Sequence, residues 1–368
     1  MFDSHLATKP QAETPPRPMP FRAAPDGDPL EIVSDARGLT ARDLQGSACG
    51  WWSLEHTAQG VVLDWAGACA EEPKERETLA AIEAIFADQP HLQALHLAHA
   101  LARLPGLARS GLISRRPDIP PRITQEAFFQ QPRLWLGDAR PPYPVRHVFT
   151  EGRRHPLRPD TPSGTVYRRY LPWLGRTLSL RVLEVERDLD RFHRWMNDPA
   201  VAHFWQEEGD LAQHRIRLER TLETPGIVPL IGCFDDAPFG YFETYWARED
   251  RIAPHCDAGD FDRGWHVLIG EPEFRGRPHV AAWLPSISHY LFLDDCRTQR
   301  LVIEPRADNA RMIGNLAKCG YALLKEFDFP HKRAMLGVQL RERFFNELGW
   351  IPQPPHPGSV PRPDPRFT

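Results

Sequence analysis

The chain has 368 residues, of which 41% are hydrophobic and 26% are charged, and its formal net charge is -4. This length and composition are typical of a globular protein with two domains of ordinary size. The acidic surplus argues against a nucleic-acid-binding protein, because such proteins carry a basic excess or a basic patch. No segment predicts a secretion signal or a membrane-spanning helix. We therefore expect a cytoplasmic protein that binds neither nucleic acid nor a membrane.

The six cysteines, at positions 49, 69, 233, 256, 296 and 319, form no CxxC pair and no close metal-ligand spacing. Such a pattern favours buried reduced thiols over disulfides or a metal site. The sequence therefore predicts no bound metal.

Proline-rich stretches predict the domain boundaries. Residues 1–28 and 351–368 are dense in proline and poor in large aliphatic residues, and we expect them to be disordered or extended tails. Residues 29–135 predict a first α/β domain. A stretch rich in proline and arginine, 136–162, predicts a linker to a second domain over 163–350.

Periodicity predicts the elements of both domains in chain order. In the first domain, TLAAIEAIFADQ has apolar residues at helical spacing. In the second, a hairpin turns at Gly175, two helices follow, and two strands turn at Asp235 and Asp236. The remaining segments predict, in order, the strand DRGWHVLIG, the helix PHVAAWLPSISHYLFLDD, the strand RLVIEP, the helix DNARMIGNLAKCGY and the strands ALLKEFDF and KRAMLGVQL. This series predicts an α/β fold with a mixed sheet and helices on both faces.

His266 is the best candidate for a general base. It lies in the middle of a predicted strand, and alternation places its side chain on the face opposite to that of Trp265. The unperturbed pKa of histidine is near neutrality, where a general base works best. The alternative is a core histidine bonded to a backbone carbonyl.

Two acids are candidates to act with His266. Glu304 ends the strand LVIEP, and it could orient the histidine or accept a proton. Asp308 follows four residues later. Its alternative role is structural, because an aspartate that begins a helix is usually an N-cap.

The segment EFRGRPHV predicts a phosphate site. Gly276 and its neighbours Arg275 and Arg277 precede a helix, whose N-terminal N–H groups and dipole attract anions. Pro278 removes one N–H donor from that helix start. The alternative is a pair of solvated arginines.

These segments together resemble the acyl-CoA N-acyltransferases of the GNAT superfamily. The segments RGWHVLIGEPEFRGRPHVAAWL and VIEPRADNARMIGNLAKCGY carry this resemblance, which covers about residues 166–350. HRWMNDPAVAHFWQEE, His193 to Glu208, resembles the siderophore-biosynthesis branch, whose members acylate N-hydroxylated amines. The resemblance implies a GNAT fold, a mixed twisted sheet flanked by helices. It also implies that 29–135 is a degenerate GNAT-like copy.

The resemblance also assigns binding roles. It implies that acetyl-CoA or another acyl-CoA is held by Ile269, Gly270, Arg275, Gly276, Arg277, Asn309 and Tyr321. It implies that the acceptor amine is held by His203, Trp205, Glu243, Tyr245 and Trp246, with His203 and Trp205 on a loop that covers the substrate. The alternative for the aromatic residues is that they fill the core.

The implied function is acyl transfer to the hydroxyl-bearing nitrogen of a small diamine or diamino acid, which produces a hydroxamate for a siderophore. Siderophore-pathway enzymes would then be partners. Two alternatives remain open. One is a GNAT acetyltransferase of an ordinary amine such as an aminoglycoside. The other is a non-catalytic CoA-binding protein, which the EPR sequence at Arg306, where some relatives have EPD, and the proline at 278 make possible.

Overall fold

The computed structural model describes residues 20–25, 29–67, 72–114 and 120–347. The predicted tails, apart from residues 20–25, lie outside the described residues. Within them the chain forms two eight-stranded sheets and one two-stranded hairpin, with helices packed on the sheets. The predicted mixed α/β fold is confirmed.

The first sheet has the strand order β1-β2-β3-β4-β5-β6-β8-β7. Its strands are β1 (Phe21–Ala23), β2 (Leu30–Asp35), β3 (Gly38–Arg42), β4 (Ala48–Thr57), β5 (Gly60–Gly67), β6 (Ala94–Leu97), β7 (Ile113–Ser114) and β8 (Arg122–Thr124). Its helices are α1 (Glu75–Asp88), α2 (His99–Ala102), α3 (Pro105–Arg109) and α4 (Gln125–Phe128).

Strand β1 corrects the prediction that residues 1–28 are a tail throughout. Phe21 pairs with Ile32 of β2 and is buried against Tyr170, with the two rings 5.4 Å apart. An apolar pair in a short proline-flanked segment is too small a signal to reveal a strand from the sequence.

The segment predicted as a linker contains a hairpin, β9 (His147–Thr150) and β10 (Arg153–Pro156). Arg153 donates to the carbonyl oxygens of Glu249 and Asp250, and Arg158 forms a bidentate ion pair with Glu249. This part of the chain is therefore a hairpin held against the second sheet, although the boundaries of the domains stay a prediction.

The second sheet has the order β11-β12-β13-β14-β15-β16-β18-β17. Its strands are β11 (Thr165–Leu171), β12 (Arg176–Val182), β13 (Ile227–Phe234), β14 (Ala237–Trp246), β15 (Arg263–Ile269), β16 (Arg300–Ile303), β17 (Ala322–Asp328) and β18 (Arg333–Leu340). Its helices are α5 (Val185–Met196), α6 (Pro199–Trp205), α7 (Leu211–Glu223), α8 (Ala253–Cys256), α9 (Arg277–Asp294), α10 (Ala310–Lys318) and α11 (Arg341–Asn346).

The predicted turns and helices of this sheet are present. Gly175 has a φ of 62°, and Asp235 and Asp236 have φ values of 48° and 66°, as a tight hairpin turn requires. The structure adds helix α6, where the sequence analysis expected a loop. Asp198 caps this helix by accepting from the N–H of Ala200, and Pro199 occupies its first turn.

The two eight-stranded sheets have the same topology. In each, four antiparallel pairings are followed by a parallel pairing, β5 with β6 and β15 with β16, and a long helix connects the parallel strands. In each, the last two pairings are antiparallel. The two sheets thus repeat one strand order, and we call them the first and the second copy of this topology. That residues 29–135 are a degenerate GNAT-like domain stays a prediction.

Buried side chains join the two copies. His289 of α9 accepts from the hydroxyl of Tyr167 at 2.9 Å and donates to the carbonyl oxygen of Phe129 at 2.7 Å. Burial lowers the pKa of His289, so the ring is neutral and can make both bonds. Trp135 stacks on Phe129 at 5.0 Å beside this histidine. The contact holds α9 against the first copy.

Candidate active site

The site lies where two parallel strands separate. Strand β15 pairs with β14 from Ile269 to Arg263, but it pairs with β16 only at Arg263 and Leu301. Pro305 follows β16 closely and has no N–H with which to continue the ladder. A cavity of about 430 Å³ opens between the diverging strands.

Predicted residues from all three functional groups line this cavity. They are Trp205, Glu243, His266, Glu304 and Asn309. They come from α6, β14, β15 and the segment that follows β16, which lie far apart in the sequence. The fold therefore brings together the proposed base, its acid and part of each binding set.

His266 lies between two carboxylates. Its Nε2 is 2.9 Å from Oε1 of Glu304, and its Nδ1 is 3.4 Å from Oε2 of Glu243, its direct partner across the sheet. As alternation predicts, Trp265 points to the other face, where its indole N–H donates to Tyr321 at 3.0 Å. A carboxylate can only accept, so both contacts are satisfied only when both ring nitrogens carry a proton.

The charge of His266 follows from this geometry. Burial disfavours the imidazolium, but the charge of Glu304 and the hydrogen bonds to both carboxylates outweigh burial and raise the pKa of His266 to about 10. This pKa lies well above the unperturbed value that suits a general base. At neutral pH the ring is a cation that keeps 23% of its side chain exposed to the cavity.

Glu304 is the acid that contacts His266. Its side chain is fully buried, and its Oε2 accepts from the hydroxyl of Tyr245 at 2.9 Å. Burial opposes ionisation, but His266 and two further cations hold the pKa of this carboxyl well below its usual range. Tyr245 is itself buried and does not line the cavity, so its hydroxyl group positions the acid. The predicted contact of Tyr245 with the acceptor is therefore corrected.

Asp308 does not pair with His266. It is exposed and forms a bidentate ion pair with Arg306, with Nη2 to Oδ2 at 2.6 Å. It is not the helix cap either, because Asn309 accepts from the N–H of Met312 at 3.1 Å and caps α10. Glu304 is therefore the partner of His266, and the alternative assignment to Asp308 is corrected.

Glu243 completes the cluster around His266. It accepts from Arg217 and from the hydroxyl of Tyr241, each at 2.8 Å. Burial raises the pKa of this carboxyl, but hydrogen bonds from His266 and the charge of Arg217 lower it to about 2. The cluster thus holds two carboxylates and an imidazolium at neutral pH.

The helix start predicted for phosphate binding is present. Gly276 caps the 18-residue helix α9, and both Gly276 and Arg277 are exposed there. Ile269 is partly buried at the end of β15, immediately before this loop. The predicted roles of these three residues stay predictions.

Arg275 and Gly270 are already engaged within the protein. The guanidinium of Arg275 donates to the carbonyl oxygens of Ile269 and Gly270 and pairs with Asp198 at 2.7 Å. The N–H of Gly270 donates to the carbonyl of Phe239, and a Cβ at this position would lie 2.1 Å from the ring of Trp195. This geometry corrects their predicted direct contact with the cofactor, and it shows instead that Arg275 fixes the loop against α6.

Tyr321 and Trp246 lie on the wrong face of the sheet for their predicted roles. Tyr321 is buried, and its hydroxyl bonds to Trp265 and Ser288. Trp246 packs between the guanidinium groups of Arg158 and Arg263, at 4.2 and 4.4 Å. Alternation explains the error for Trp246, because Glu243 and Tyr245 share one face of β14 and residue 246 takes the other.

His203 and Trp205, which were predicted to cover the substrate, both lie on helix α6, and one of them lines the cavity. The indole of Trp205 lines the cavity, donates to the carbonyl of Val267 at 3.3 Å and lies 6.4 Å from the His266 ring. His203 is exposed and stacks edge-on against Phe204, outside the cavity lining. The predicted acceptor contact of His203 is therefore corrected, and its neighbour Phe204 lines the cavity instead.

The sequence analysis missed three cations of the site: Arg217, Arg251 and Lys332. They come from α7, from the β14–β15 connection and from the β17–β18 turn. Isolated basic residues on a helix and in turns are usually solvated, so nothing in their spacing indicates a site. The one local pattern that could have indicated a charged site is the basic run His331, Lys332 and Arg333 at the β17–β18 turn.

Comparison with known proteins identifies the family. The Acetyltransferase (GNAT) domain family matches residues 184–329. The N(6)-hydroxylysine O-acetyltransferase of Escherichia coli is 40% identical over 327 residues, which cover 86% of this chain and 98% of that protein. The chain belongs to this GNAT acyltransferase family. The predicted enzyme class, an N-acyltransferase, is confirmed.

Fungal relatives match a smaller share of this GNAT acyltransferase. An N(5)-hydroxyornithine:cis-anhydromevalonyl coenzyme A-N(5)-transacylase of Beauveria bassiana is 45% identical over 195 residues, 52% of this chain and 43% of that protein. A hydroxyornithine transacylase of Ajellomyces capsulatus is 38% identical over 226 residues, 58% of this chain and 52% of that protein. These matches extend the likeness to relatives named for a second hydroxylated amino acid.

Over the described ranges, no group of three or more His, Cys, Asp or Glu side chains is arranged to hold a metal ion. No helix in the same part of the chain has the length and apolar character needed to cross a membrane.

Proposed function

We propose that this GNAT acyltransferase transfers an acyl group from acetyl-CoA or another acyl-CoA to the hydroxyl-bearing nitrogen of an N-hydroxylated diamine or diamino acid. The product is a hydroxamate, an iron-chelating group of siderophores. The relatives named for hydroxylysine and hydroxyornithine support the acceptor class. The position of His266, with each ring nitrogen facing a carboxylate, is the observation that carries the proposal.

The two acceptor classes differ in basicity. An alkylamine is an ammonium ion at neutral pH, with a pKa of about 10.4 for lysine, and it must lose a proton before it can attack. His266 is already protonated and faces a carboxylate with each nitrogen, so it offers no free lone pair for that step. An N-alkylhydroxylamine is far less basic and is a neutral nucleophile at the same pH. The site therefore favours a hydroxylamine over an ordinary amine.

The reaction needs one proton to move from nitrogen to sulfur. The hydroxylamine nitrogen attacks the thioester carbonyl carbon, the C–N bond forms, and the C–S bond breaks. We assign the proton transfer to the cluster of His266, Glu243 and Glu304, which accepts the proton that nitrogen loses after attack and returns it to the departing thiolate. The acidity of nitrogen in the tetrahedral intermediate makes a carboxylate a sufficient acceptor.

The acyl-CoA would bind along the separated strands. Gly276 and Arg277, at the start of α9, offer backbone N–H groups, a helix dipole and a positive charge to its phosphates. Asn309 lines the cavity at the start of α10, where the acyl-bearing arm would pass. Pathway partners would be the N-hydroxylating enzyme that supplies the acceptor and the enzymes that build the hydroxamate into a siderophore.

Thiol release tests the proposal directly. Acetyl-CoA and succinyl-CoA are each supplied with N6-hydroxylysine, N-hydroxyputrescine and their unhydroxylated parents, with wild type and His266→Ala. We expect release that requires the N-hydroxyl group and collapses in the variant. Equal rates with the parent amines would indicate an ordinary amine acetyltransferase, and CoA binding without release with any acceptor would indicate a binding protein.

A further inference from the structure

Three cations surround one oxygen atom in the cavity wall. Oε1 of Glu304 is 2.9 Å from Nε2 of His266, 3.3 Å from Nη2 of Arg251 and 3.5 Å from Nζ of Lys332. Lys332 also donates to the backbone carbonyl of Glu304 at 2.7 Å. The buried carboxylate of Glu304 is therefore a counter-ion shared by three positive groups, of which His266 also contacts Glu243.

The positive charges of Arg251 and Lys332 lie close to each other. Both cations lie over the ring of Phe329, at 5.4 and 5.5 Å from its centre. Burial, and then the charge of Arg251, lowers the pKa of Lys332 against the attraction of Glu304. Asp250, another carboxyl of this wall, accepts from the N–H of Ile252. Burial and the charge of Glu304 raise the pKa of Asp250.

Arg251 is placed to receive a further anion. It lines the same cavity as His266, and its side chain remains 48% exposed although it touches Glu304. A guanidinium has five N–H donors in a planar fork and binds a carboxylate with two parallel hydrogen bonds. One 3.3 Å contact with Glu304 leaves most of these donors available.

We propose that Arg251, with Lys332 beside it, binds the α-carboxylate of the acceptor, so that the acceptor is an N-hydroxylated diamino acid rather than a diamine. This inference rests on the proposed function and selects within it. Hydroxylysine and hydroxyornithine carry a carboxylate that could pair with Arg251 and Lys332, whereas hydroxyputrescine and hydroxycadaverine do not. Arg251 then acts on specificity, and His266 and Glu243 act on the reacting nitrogen.

The test compares two acceptors of equal chain length. N6-hydroxylysine and N-hydroxycadaverine differ only in the carboxylate, and acetyl-CoA as donor brings no carboxylate of its own. We expect wild type to prefer hydroxylysine, and Arg251→Gln to lower kcat/KM for hydroxylysine by roughly 10- to 100-fold, mainly through KM. The variant should change kcat/KM for hydroxycadaverine far less. Arg251→Lys, which keeps the charge, should restore part of the loss.

The matched control is Arg333→Gln. Arg333 adjoins Lys332 in sequence, but its side chain is 60% exposed and pairs with Glu326 at 2.8 Å. It should leave both acceptors unchanged. Thermal unfolding of each variant separates loss of fold from loss of binding.

The outcomes are distinct. Equal use of both acceptors by wild type, or an equal loss for both in Arg251→Gln, would overturn the inference and leave the proposed function standing. If Arg251→Gln lost activity only with succinyl-CoA, whichever acceptor is used, the carboxylate that Arg251 binds would be that of the donor. This result would also overturn the inference. If wild type acylated neither hydroxylated acceptor, the proposed function would fail and the inference with it.

Discussion

The two eight-stranded sheets share one topology, but their central parallel strands differ in how far they stay paired. In the first copy β5 and β6 pair at three successive positions, from Val61 with Leu95 to Leu63 with Leu97. In the second, β15 and β16 pair at one position and then separate around the cluster of His266, Glu243 and Glu304. The fold alone therefore does not make a site. The local separation of two strands does.

The helices that follow these strands differ in charge. Helix α1 has Glu75 and Glu77 in its first turn, and these acids would repel a phosphate. Helix α9 has no acid in its first turn and begins with Gly276 and Arg277. The first copy instead supports the second, because the carbonyl of Phe129 fixes His289 on α9. We therefore propose that one copy serves as a scaffold and that the other carries the chemistry.

The sharpest test of this comparison replaces one histidine in each sheet. His266→Ala should lower kcat by about 10²- to 10⁴-fold, because it removes the centre of the proton-transfer cluster. His96→Ala, on β6 of the first sheet, should leave kcat unchanged. Steady-state kinetics on folded protein checks both. A comparable loss in His96→Ala would place chemistry in the first copy and break the comparison.

His266→Gln should also destabilise the protein by about 3 kcal/mol at pH 7, because it leaves two buried carboxylates without their shared cation. The folded-state pKa of His266, about 10, lies above its ordinary value. Its contribution to stability is therefore complete below about pH 6.5 and is lost as the pH rises through 10. Urea unfolding at pH 7 and pH 10.5 should show the difference between wild type and variant shrinking at the higher pH.

The matched variant His96→Gln should cost about 1 kcal/mol, which is typical of a single substitution. An NMR titration of the His266 ring gives an independent check, and it should show the transition near pH 10. A transition near pH 6.5 would contradict the ion cluster and return His266 to the role of a neutral base.

The charge difference between the helix starts can be removed by one substitution. Arg277→Glu gives α9 an acidic first turn like that of α1, and we expect the KM for acetyl-CoA to rise roughly tenfold. Arg76→Glu, in the first turn of α1, should leave this KM unchanged. Calorimetric titration with CoA measures the same effect on binding alone. Unchanged CoA affinity in Arg277→Glu would move the phosphate site elsewhere.

We expect the smallest effect from removing the hydroxyl group of Tyr245, which holds Glu304 in place. Tyr245→Phe removes the hydroxyl that donates to Glu304, and it should cost about 1 kcal/mol of stability with a loss of only a few fold in kcat. Chemical denaturation and kinetics measure the two effects. A loss of kcat as large as that of His266→Ala would mean that Tyr245 takes part in the reaction itself.

Much of the fold could be predicted because it depends on short-range patterns. The turns at Gly175 and Asp235, the helices and the alternation at His266 are all readable within a few residues of each position. Helix α6 and the β9–β10 hairpin were missed, because their signals are short and next to prolines that usually indicate irregular chain. The site was predicted in part, since His266 and Glu304 lie on the strands that carry the family's motifs.

The sequence by itself determined the family, the element order and which face of β15 carries the histidine. Only the tertiary structure decided the charge of that histidine, because its two carboxylates lie 23 and 38 residues away in the chain and meet it through strand pairing. It also decided that Trp246 and Tyr321 face away from the cavity and that Arg275 is bound to Asp198. Strand register and the separation of β15 from β16 are long-range properties, and no local pattern encodes them.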